Sequence, residues 1–321
     1  MKTSEFEALC DKLVCPSCHG RLETQETRMA CTACGSHFAP NRHGYIEFRV
    51  DEPGEDVYEQ DTTPDEYAAT QEYCGLRLFD EYTKPVILST PFKSVLDVGC
   101  GMGMGTTELL EDGYEAYGID LPNMARFWAR AGKDPAHFFC CDAARLPFPD
   151  EAFDVVYSLG VIEHIGSVSG YSTLCDNYTE IRQNYADELL RVTKPGGRIL
   201  IACPNKHFPI DIQHGPHDDL SAETLIGKVR AKIYTRTGAN IHPTWGKNHL
   251  LSYSEVRDLF CTKGGARGLE AMHLRGYFGF SKFERKSLRP LLHVAKFYIE
   301  NLPGFLRKTG LNPYMLARIT K

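Results

Sequence analysis

The sequence predicts an α/β protein: a parallel sheet with helices on both of its faces, preceded by a small cysteine-rich unit. Three observations lead to this prediction. Between residues 94 and 205, short apolar runs rich in β-branched residues alternate with segments of helical pattern. Glycine or aspartate follows several of these runs, as is typical of the carboxyl ends of parallel strands. Four of the chain's 12 cysteines stand in two close pairs near the N terminus.

The two cysteine pairs predict a metal site. Cys15 and Cys18 form one Cys-x-x-Cys pair, Cys31 and Cys34 form the other, and twelve residues separate the pairs. Four thiolates at this spacing can complete tetrahedral Zn²⁺ coordination, and the metal would supply folding energy to a segment too short for its own core. We therefore predict a structural zinc ribbon over residues 1–50. The alternative, a pair of redox dithiols, lacks the βαβ context of such motifs.

A glycine-rich turn after the first predicted strand of the sheet is the central motif. Residues 94–98 are predicted to form a buried strand that carries Asp97, and the alternating glycines are followed by a helix with Thr106 as its N-cap. Such a turn lets the backbone approach a ligand at a helix N terminus. The spacing differs from that of a dinucleotide site, because Thr106 stands where the last glycine would be. A carboxylate at the strand end suits an ammonium or sulfonium ligand.

Several motifs agree in order and spacing with one family. They are residues 97–103, 117–120, 141–143, 148–156, 161–165 and 189–197. Together they resemble the motifs of class I S-adenosylmethionine (SAM)-dependent methyltransferases of the small-molecule type, similar to ubiquinone/menaquinone C-methyltransferases and glycan/lipid O-methyltransferases. The resemblance implies a Rossmann-like, seven-stranded sheet and SAM as the cofactor.

The resemblance also implies which residues bind SAM. The acid that ends the second strand, Asp120, would bind both ribose hydroxyls, and Asp142 after the third strand would meet the adenine amino group. Each has a structural alternative, since Asp120 can be a loop acid or helix cap and Asp142 can be an N-cap. The full set of predicted cofactor-binding residues is Asp97, Gly99, Gly101, Gly103, Asp120, Leu121, Asp142, Ala143 and Ser158.

Two histidines are the candidate catalytic residues. A hydroxyl acceptor benefits from a general base that titrates near neutrality, and histidine suits this role. His164 follows the fourth predicted strand, at the mouth of the predicted pocket, although in the related enzymes a histidine here can simply support the loop. His214 lies in a polar, proline-broken stretch with Asp211 and His217. That stretch can hydrogen-bond the acceptor or hold a divalent metal, and the sequence leaves both open.

Composition shifts predict three regions. Residues 1–50 are the ribbon, residues 51–92 are an acidic linker followed by N-terminal cap helices, and residues 93–321 are the methyltransferase domain. Within it we predict an acceptor-site insertion at 204–250 and a basic amphipathic insertion at 280–310. The basic insertion suits either contact with an anionic membrane surface or packing as a helical hairpin. The loop over residues 167–177 is predicted as a lid or as an ordinary exposed loop.

Charge argues against a nucleic-acid partner. The net charge is −6, and six basic residues balance six acidic ones in residues 1–50, whereas nucleic-acid modules are usually basic.

No apolar run reaches the roughly 18 residues of a membrane span, and close cysteine pairs are typical of a reducing compartment. We expect a cytoplasmic protein with peripheral membrane contact.

The function expected from these features is methyl transfer from SAM to a small-molecule, sugar or lipid-linked acceptor by in-line displacement, with O-methylation favoured. One alternative is a zinc-ribbon methyltransferase of ribosomal or transfer RNA, which the charge balance disfavours. Another is a non-catalytic SAM-binding scaffold, which the intact motifs disfavour.

Overall fold

The computed structural model describes residues 3–48, 65–167, 173–211, 213–214, 225–237, 240–274 and 289–321. The chain divides into two compact units: residues 1–159, 184–199 and 320–321 form the first, and residues 160–183 and 200–319 form the second. The predicted linker at 51–64, the middle of the loop at 168–172, His217 and residues 280–288 of the basic insertion lie outside the described residues.

The first unit begins with the cysteine-rich segment and continues into alternating strands and helices. Its elements are α1 (Thr3–Cys10), β1 (Leu22–Gln25), β2 (Arg28–Cys31), β3 (His37–Pro40), β4 (Ile46–Glu47), α2 (Asp65–Leu78), a π-helical turn (Phe79–Thr83), α3 (Lys84–Leu88), β5 (Ser94–Val98), α4 (Met104–Glu111), β6 (Glu115–Asp120), a 3₁₀ turn (Pro122–Met124), α5 (Ala125–Arg130), β7 (Phe138–Cys140) and β8 (Phe153–Leu159).

Three elements run through both units, and the rest belong to the second. The shared elements are α6 (Tyr178–Val192), β9 (Thr193–Pro204) and β13 (Tyr314–Thr320), of which only the last residue lies in the first unit. The others are β10 (Ile210–Asp211), α7 (Leu225–Thr237), β11 (Asn240–Ile241), α8 (Tyr253–Arg257), a π-helical turn (Asp258–Lys263), β12 (Gly268–Ala271), α9 (Arg289–Glu300) and a 3₁₀ turn (Gly304–Leu306).

The predicted α/β sheet is confirmed. In the first unit the strands follow the order β1-β2-β3-β4-β7-β6-β5-β8-β9, and in the second the order is β9-β13-β12. Strand β5 pairs in parallel with β6 and with β8, and every residue of β5 is buried, as its apolar sequence predicts. Because parallel strands end at the same edge, Asp97 on β5 and Asp120 on β6 are brought to one edge of the first unit's sheet.

The amino end of β5 is anchored by one carboxylate. Asp154 on β8 accepts hydrogen bonds from the backbone amides of Lys93 and Ser94, at 2.9 and 3.0 Å, and pairs with Lys194 at 2.9 Å. Although burial alone would raise it, these partners lower the pKa of Asp154 to about 2. The strand that carries the glycine turn therefore starts from a fixed position.

The cysteine-rich segment extends this sheet within the first unit. Strand β4 pairs with β3 and, in parallel, with β7, where Glu47 stands opposite Cys140. The amide of Phe48 donates to the Cys140 carbonyl at 2.7 Å, which continues the pairing by one residue. An unpaired edge strand invites association with other chains. The segment thus covers the β7 edge of the sheet.

The last part of the second unit contains two strands and a capped helix. The strands are β12 and β13. The capping box at the start of α8 is present: the amide of Glu255 donates to Ser252 Oγ at 3.3 Å, and the Ser252 amide donates to the Glu255 carboxylate at 2.7 Å. Within the described part of the chain, no helix has the length and apolarity needed to cross a bilayer.

Candidate functional site

Three left-handed glycines shape the turn after β5. Gly99, Gly101 and Gly103 have φ angles of 80°, 55° and 76°. This left-handed region is unfavourable for residues that have a Cβ atom. The amides of Gly99 and Cys100 both donate to the Ile119 carbonyl at 2.9 Å, which ties the turn to the end of β6.

The helix after this turn begins earlier than the sequence predicts. Gly103, not Thr106, is the N-cap residue of α4, so the predicted Thr106 cap is wrong. The reason is that Thr106 is fully buried and its hydroxyl donates to the Asp97 carboxylate at 3.1 Å. Asp97 is itself nearly buried, and burial raises the pKa of the neighbouring Tyr157 well above its ordinary value.

Asp120 is held by two backbone amides at the end of β6. The Gly101 amide donates to one carboxylate oxygen and the Leu121 amide to the other, each at 2.7 Å. Hydrogen bonds of this kind to a charged acceptor are among the stronger ones in proteins. The Asp120 carboxylate therefore has a fixed orientation beside the glycine turn.

A second cluster of polar side chains lies wholly within the second unit. His164 and His214 have ring centroids 5.1 Å apart, and His214 and His249 have theirs 5.2 Å apart. The Asp211 carboxylate lies 2.7 Å from Nδ1 of His214. Glu163 has no exposed surface. We call these five residues the histidine cluster.

Burial dominates the electrostatics of the histidine cluster. It raises the pKa of Glu163 to about 7 and lowers the pKa of His249 to about 3. Burial also acts to raise the pKa of Asp211, but the hydrogen bond from His214 outweighs it and the pKa is lowered. Near neutral pH, His249 is uncharged and Asp211 is a carboxylate.

The four predicted zinc ligands converge in the first unit. The sulfur atoms of Cys15, Cys18, Cys31 and Cys34 all lie within 4.8 Å of one another. The closest pairs are Cys15 with Cys34, at 3.6 Å, and Cys18 with Cys31, at 3.5 Å. The amides of Ala33 and Cys34 point at the Cys31 sulfur, at 3.4 and 3.5 Å, so backbone donors are in place to stabilise a thiolate there.

A family comparison decides what the first of these sites belongs to. Residues 96–201, from β5 into β9, match the model of a methyltransferase domain family. Residues 96–201 form a methyltransferase domain. The Asp97 carboxylate, the glycine turn and Asp120 all lie within this methyltransferase domain.

Curated relatives match over the same region. The chain is 31% identical over 127 residues to a demethylmenaquinone methyltransferase of Beutenbergia cavernae, with 39% of this chain and 47% of that protein covered. It is 35% identical over 120 residues to a 2-methyl-6-phytyl-1,4-hydroquinone methyltransferase of Synechocystis, with 36% and 33% covered. The chain thus spans less than half the length of either relative. Among solved structures, phosphoethanolamine N-methyltransferase 2 of Haemonchus contortus aligns with a TM-score of 0.45 at 16% identity, covering 84% of this chain and 60% of that one.

The remaining predicted cofactor residues lie in the methyltransferase domain with local partners. Asp142 is exposed, and its carboxylate accepts a hydrogen bond from the Ala144 amide at 2.9 Å, as a capping residue does. Ala143 beside it is half-buried. Ser158 is fully buried and donates to the Val98 carbonyl at 2.9 Å. Contact of these three with a cofactor stays a prediction.

The structure brings the two predicted catalytic histidines, His164 and His214, together and adds neighbours that sequence reasoning missed. Glu163 and His249 were not predicted as members of the site. The Glu-His pair at 163–164 could have drawn attention to Glu163, because a carboxylate there follows an apolar strand. His214 and His249 both fall in the predicted acceptor-site insertion at 204–250, but 34 residues separate them and no motif spacing pairs them.

Substitution of Gly103 tests the geometry of the turn. A Cβ at Gly103 would lie 2.3 Å from Cε1 of Phe138, whereas a Cβ at Gly113, which also has a positive φ of 82°, would meet nothing within 4 Å. Both Gly→Ala changes incur backbone strain, but only Gly103→Ala also overpacks the core. We expect Gly103→Ala to lower the free energy of unfolding by roughly 1–3 kcal/mol more than Gly113→Ala in urea denaturation. Equal losses would contradict the described turn.

Proposed function

We propose that the chain transfers a methyl group from SAM to an oxygen atom of a small-molecule, sugar or lipid-linked acceptor. The methyltransferase domain at residues 96–201 supports this, as do relatives named for quinone and hydroquinone methylation. The single observation that carries the proposal is the Asp120 carboxylate, oriented by two amides at the carboxyl end of β6 beside the glycine turn.

Asp120 and Asp97 have complementary parts in holding the methyl donor. Each oxygen of a carboxylate can accept two hydrogen bonds, so Asp120 can bind a ribose diol while it keeps both backbone bonds. Asp97 is buried two residues before Gly99, and as a carboxylate it would favour the positive sulfonium over the neutral thioether product. The left-handed glycines keep side chains away from the donor.

The chemical step is a direct displacement. An acceptor oxygen bonds to the methyl carbon while the carbon–sulfur bond breaks, and its electron pair stays on sulfur as S-adenosylhomocysteine leaves. The acceptor's hydroxyl proton passes to water. Holding oxygen and methyl in line, with water excluded, can supply most of the rate enhancement.

His164 and His214 are the residues that we propose act on the acceptor. Two observations support this. Only three residues separate Leu159, the last residue of β8, from Glu163, so the histidine cluster begins almost directly after a strand of the sheet. The Asp211 carboxylate fixes the orientation of the His214 ring.

A transfer assay with tritiated SAM tests the proposed reaction. We expect label to enter the lipid or small-metabolite fraction when the full chain is incubated with extracted lipids, RNA and metabolites. Asp120→Ala removes a charged acceptor of hydrogen bonds from the ribose, and it should weaken SAM binding at least about ten-fold. Asp11→Ala, at an exposed aspartate after α1, is the matched control and should leave transfer unchanged.

Other outcomes of this assay would count against the proposal. Label in RNA alone would favour the RNA methyltransferase alternative. SAM binding by wild-type protein with no transfer to any fraction would favour the non-catalytic scaffold.

We also propose that the cysteine cluster binds structural Zn²⁺. Four convergent thiolates are the donor set that structural zinc prefers, and the segment's own core is small. The bound metal would hold β2 and the turn after it together. Strands β3 and β4 follow that turn along the chain. The edge pairing of β4 with β7 would therefore depend on the metal.

Metal removal tests this proposal. Native mass spectrometry should find one zinc fewer per chain in Cys31→Ser than in wild type or in Cys261→Ser, a half-buried cysteine of the second unit. The Phe48 amide, which donates to Cys140, should exchange its hydrogen faster in Cys31→Ser. An equal zinc content in Cys31→Ser and wild type, or an unchanged exchange rate, would contradict the proposal.

We further propose that α9 and the 3₁₀ turn after it contact an anionic membrane surface. Val294 and Phe297 on α9 are 67% and 69% exposed, and Phe305 is 79% exposed. Lys296, beside them on α9, is also exposed. Exposed apolar side chains with basic neighbours are typical of interfacial helices.

Vesicle flotation tests this contact. The full chain should float with phosphatidylserine-containing vesicles and remain behind with phosphatidylcholine alone. Phe297→Ser with Phe305→Ser should reduce flotation several-fold, because each buried apolar side chain contributes about 1.5–3 kcal/mol. Val229→Ser, at a 51% exposed valine on α7, is the control. Equal loss with the control would argue against α9 as the contact.

A further inference from the structure

The histidine cluster contains buried polar atoms whose hydrogen-bonding needs are unmet by the described residues. Both carboxylate oxygens of Glu163 are buried without a hydrogen-bond partner there, and so is Nε2 of His249. Glu163 has no exposed surface, and His249 is 8% exposed. A buried, unpaired carboxylate is among the most unfavourable groups in a protein interior. A ligand that met the hydrogen-bonding needs of these atoms would remove that cost.

Arg182 does not pair with the Glu163 carboxylate. It donates instead to backbone carbonyls: Nε to that of Ile165 at 3.0 Å, and Nη2 to those of Glu163 at 3.5 Å and His249 at 2.5 Å. It therefore fixes two separate segments of the second unit, the one that carries Glu163 and the one that carries His249. The Glu163 carboxyl oxygens therefore receive no hydrogen bond from Arg182.

The ligand atoms of the cluster are close enough to share one ion. Glu163, His164 and His214 each offer an atom within 4.8 Å of the other two, and Asp211, His214 and His249 do the same. Ligands about 2.1 Å from a tetrahedral ion lie about 3.4 Å apart. Small side-chain rotations would bring either group to that spacing.

The contact between Asp211 and His214 has the geometry that metal sites use around a ligating histidine. The Asp211 carboxylate lies 2.7 Å from Nδ1 of His214, and it is itself held by the amides of Gln213 at 2.8 Å and His214 at 3.2 Å. In metal sites, such a carboxylate fixes the ring and its tautomer so that the other nitrogen, Nε2, faces the ion.

We propose that Glu163, His164, His214 and His249 bind one divalent transition-metal ion in the second unit, with Asp211 orienting His214. Imidazole-rich sites of this kind favour ions such as Zn²⁺, Mn²⁺ or Fe²⁺ over Mg²⁺ and Ca²⁺, which prefer oxygen ligands. A dication balances the Glu163 and Asp211 carboxylates and satisfies the buried Nε2 of His249. This ion site is distinct from the proposed zinc site of the cysteine cluster, whose four ligands are all sulfur atoms.

The ion also defines a class of acceptor, an inference that rests on the proposed function. A tetrahedral ion held by three of these residues, or a five-coordinate ion held by all four, would leave a position for an oxygen donor and would lower the pKa of a hydroxyl bound there. The hydroxyl proton would pass to water, the oxygen would bond to the methyl carbon, and the electron pair of the carbon–sulfur bond would stay on sulfur. The acceptor would be a phenol, enol or polyol that offers an oxygen to the metal.

Cobalt titration of the full chain tests the site without reference to activity. The cysteine cluster is first saturated with zinc and excess metal is removed. Added Co²⁺ should then bind one further site per chain, with visible d–d absorption but no thiolate-to-cobalt charge transfer. Bound metal should also raise the melting temperature of the protein, because it binds the folded state.

Three variants assign the site, each checked for folding by circular dichroism. Glu163→Gln keeps the shape and removes the charge, and His214→Ala removes a central ligand; each should weaken Co²⁺ binding at least ten-fold. Asp211→Asn should weaken it about 10–100-fold through the His214 orientation. His293→Ala, at an exposed histidine of α9, should bind like wild type.

The result that would overturn the site is wild-type protein that takes up no Co²⁺ beyond the cysteine cluster, or uptake equal in Glu163→Gln and wild type. Its failure can be told apart from failure of the proposed function. If methyl transfer proceeds while this site takes up no metal, the metal site is refuted and the proposed function stands. If the site binds metal but no methyl group is transferred, the proposed function is refuted and the metal site stands.

Discussion

The hydrogen bond between the Gly101 amide and the Asp120 carboxylate is the contact on which the proposed donor site depends. It forms only because three successive glycine positions after β5 adopt left-handed backbone conformations and bring the turn back over the end of β6. The Ile119 carbonyl, which accepts from the first two amides of the turn, holds it from the other side. A sheet edge is thereby converted into a cradle with one fixed carboxylate.

The cysteine-rich segment is connected to this cradle by packing. Tyr45, just before β4, lies edge-to-face on Trp128 with ring centroids 5.2 Å apart, and the Trp128 indole donates to the Gly101 carbonyl at 2.7 Å. Phe138 belongs to the same buried cluster and is the side chain that excludes a Cβ at Gly103. The segment therefore closes a sheet edge and also buttresses the glycine turn from behind. That dual role gives a structural reason for the cysteine-rich segment to lie beside a methyltransferase domain.

Many strands and turns of the first unit could be predicted, because short-range sequence patterns determine them. The run at β5, the glycines and Asp120 follow from strand, turn and spacing rules. The Thr106 cap failed because a buried tertiary partner, Asp97, takes the hydroxyl. The pairing of β4 with β7 and the meeting of Glu163 with His249 join distant segments through packing, and no local pattern encodes them. The Cys-x-x-Cys pairs were informative because metal chemistry restricts their spacing.

The most direct test of the account is calorimetric titration of the full, zinc-loaded chain with S-adenosylhomocysteine and with its 2′,3′-dideoxy analogue. We predict one site per chain for the natural nucleoside and at least about ten-fold weaker binding without the ribose hydroxyls, since Asp120 loses its partners. Absence of heat with S-adenosylhomocysteine, or equal affinity for both compounds, would contradict the account.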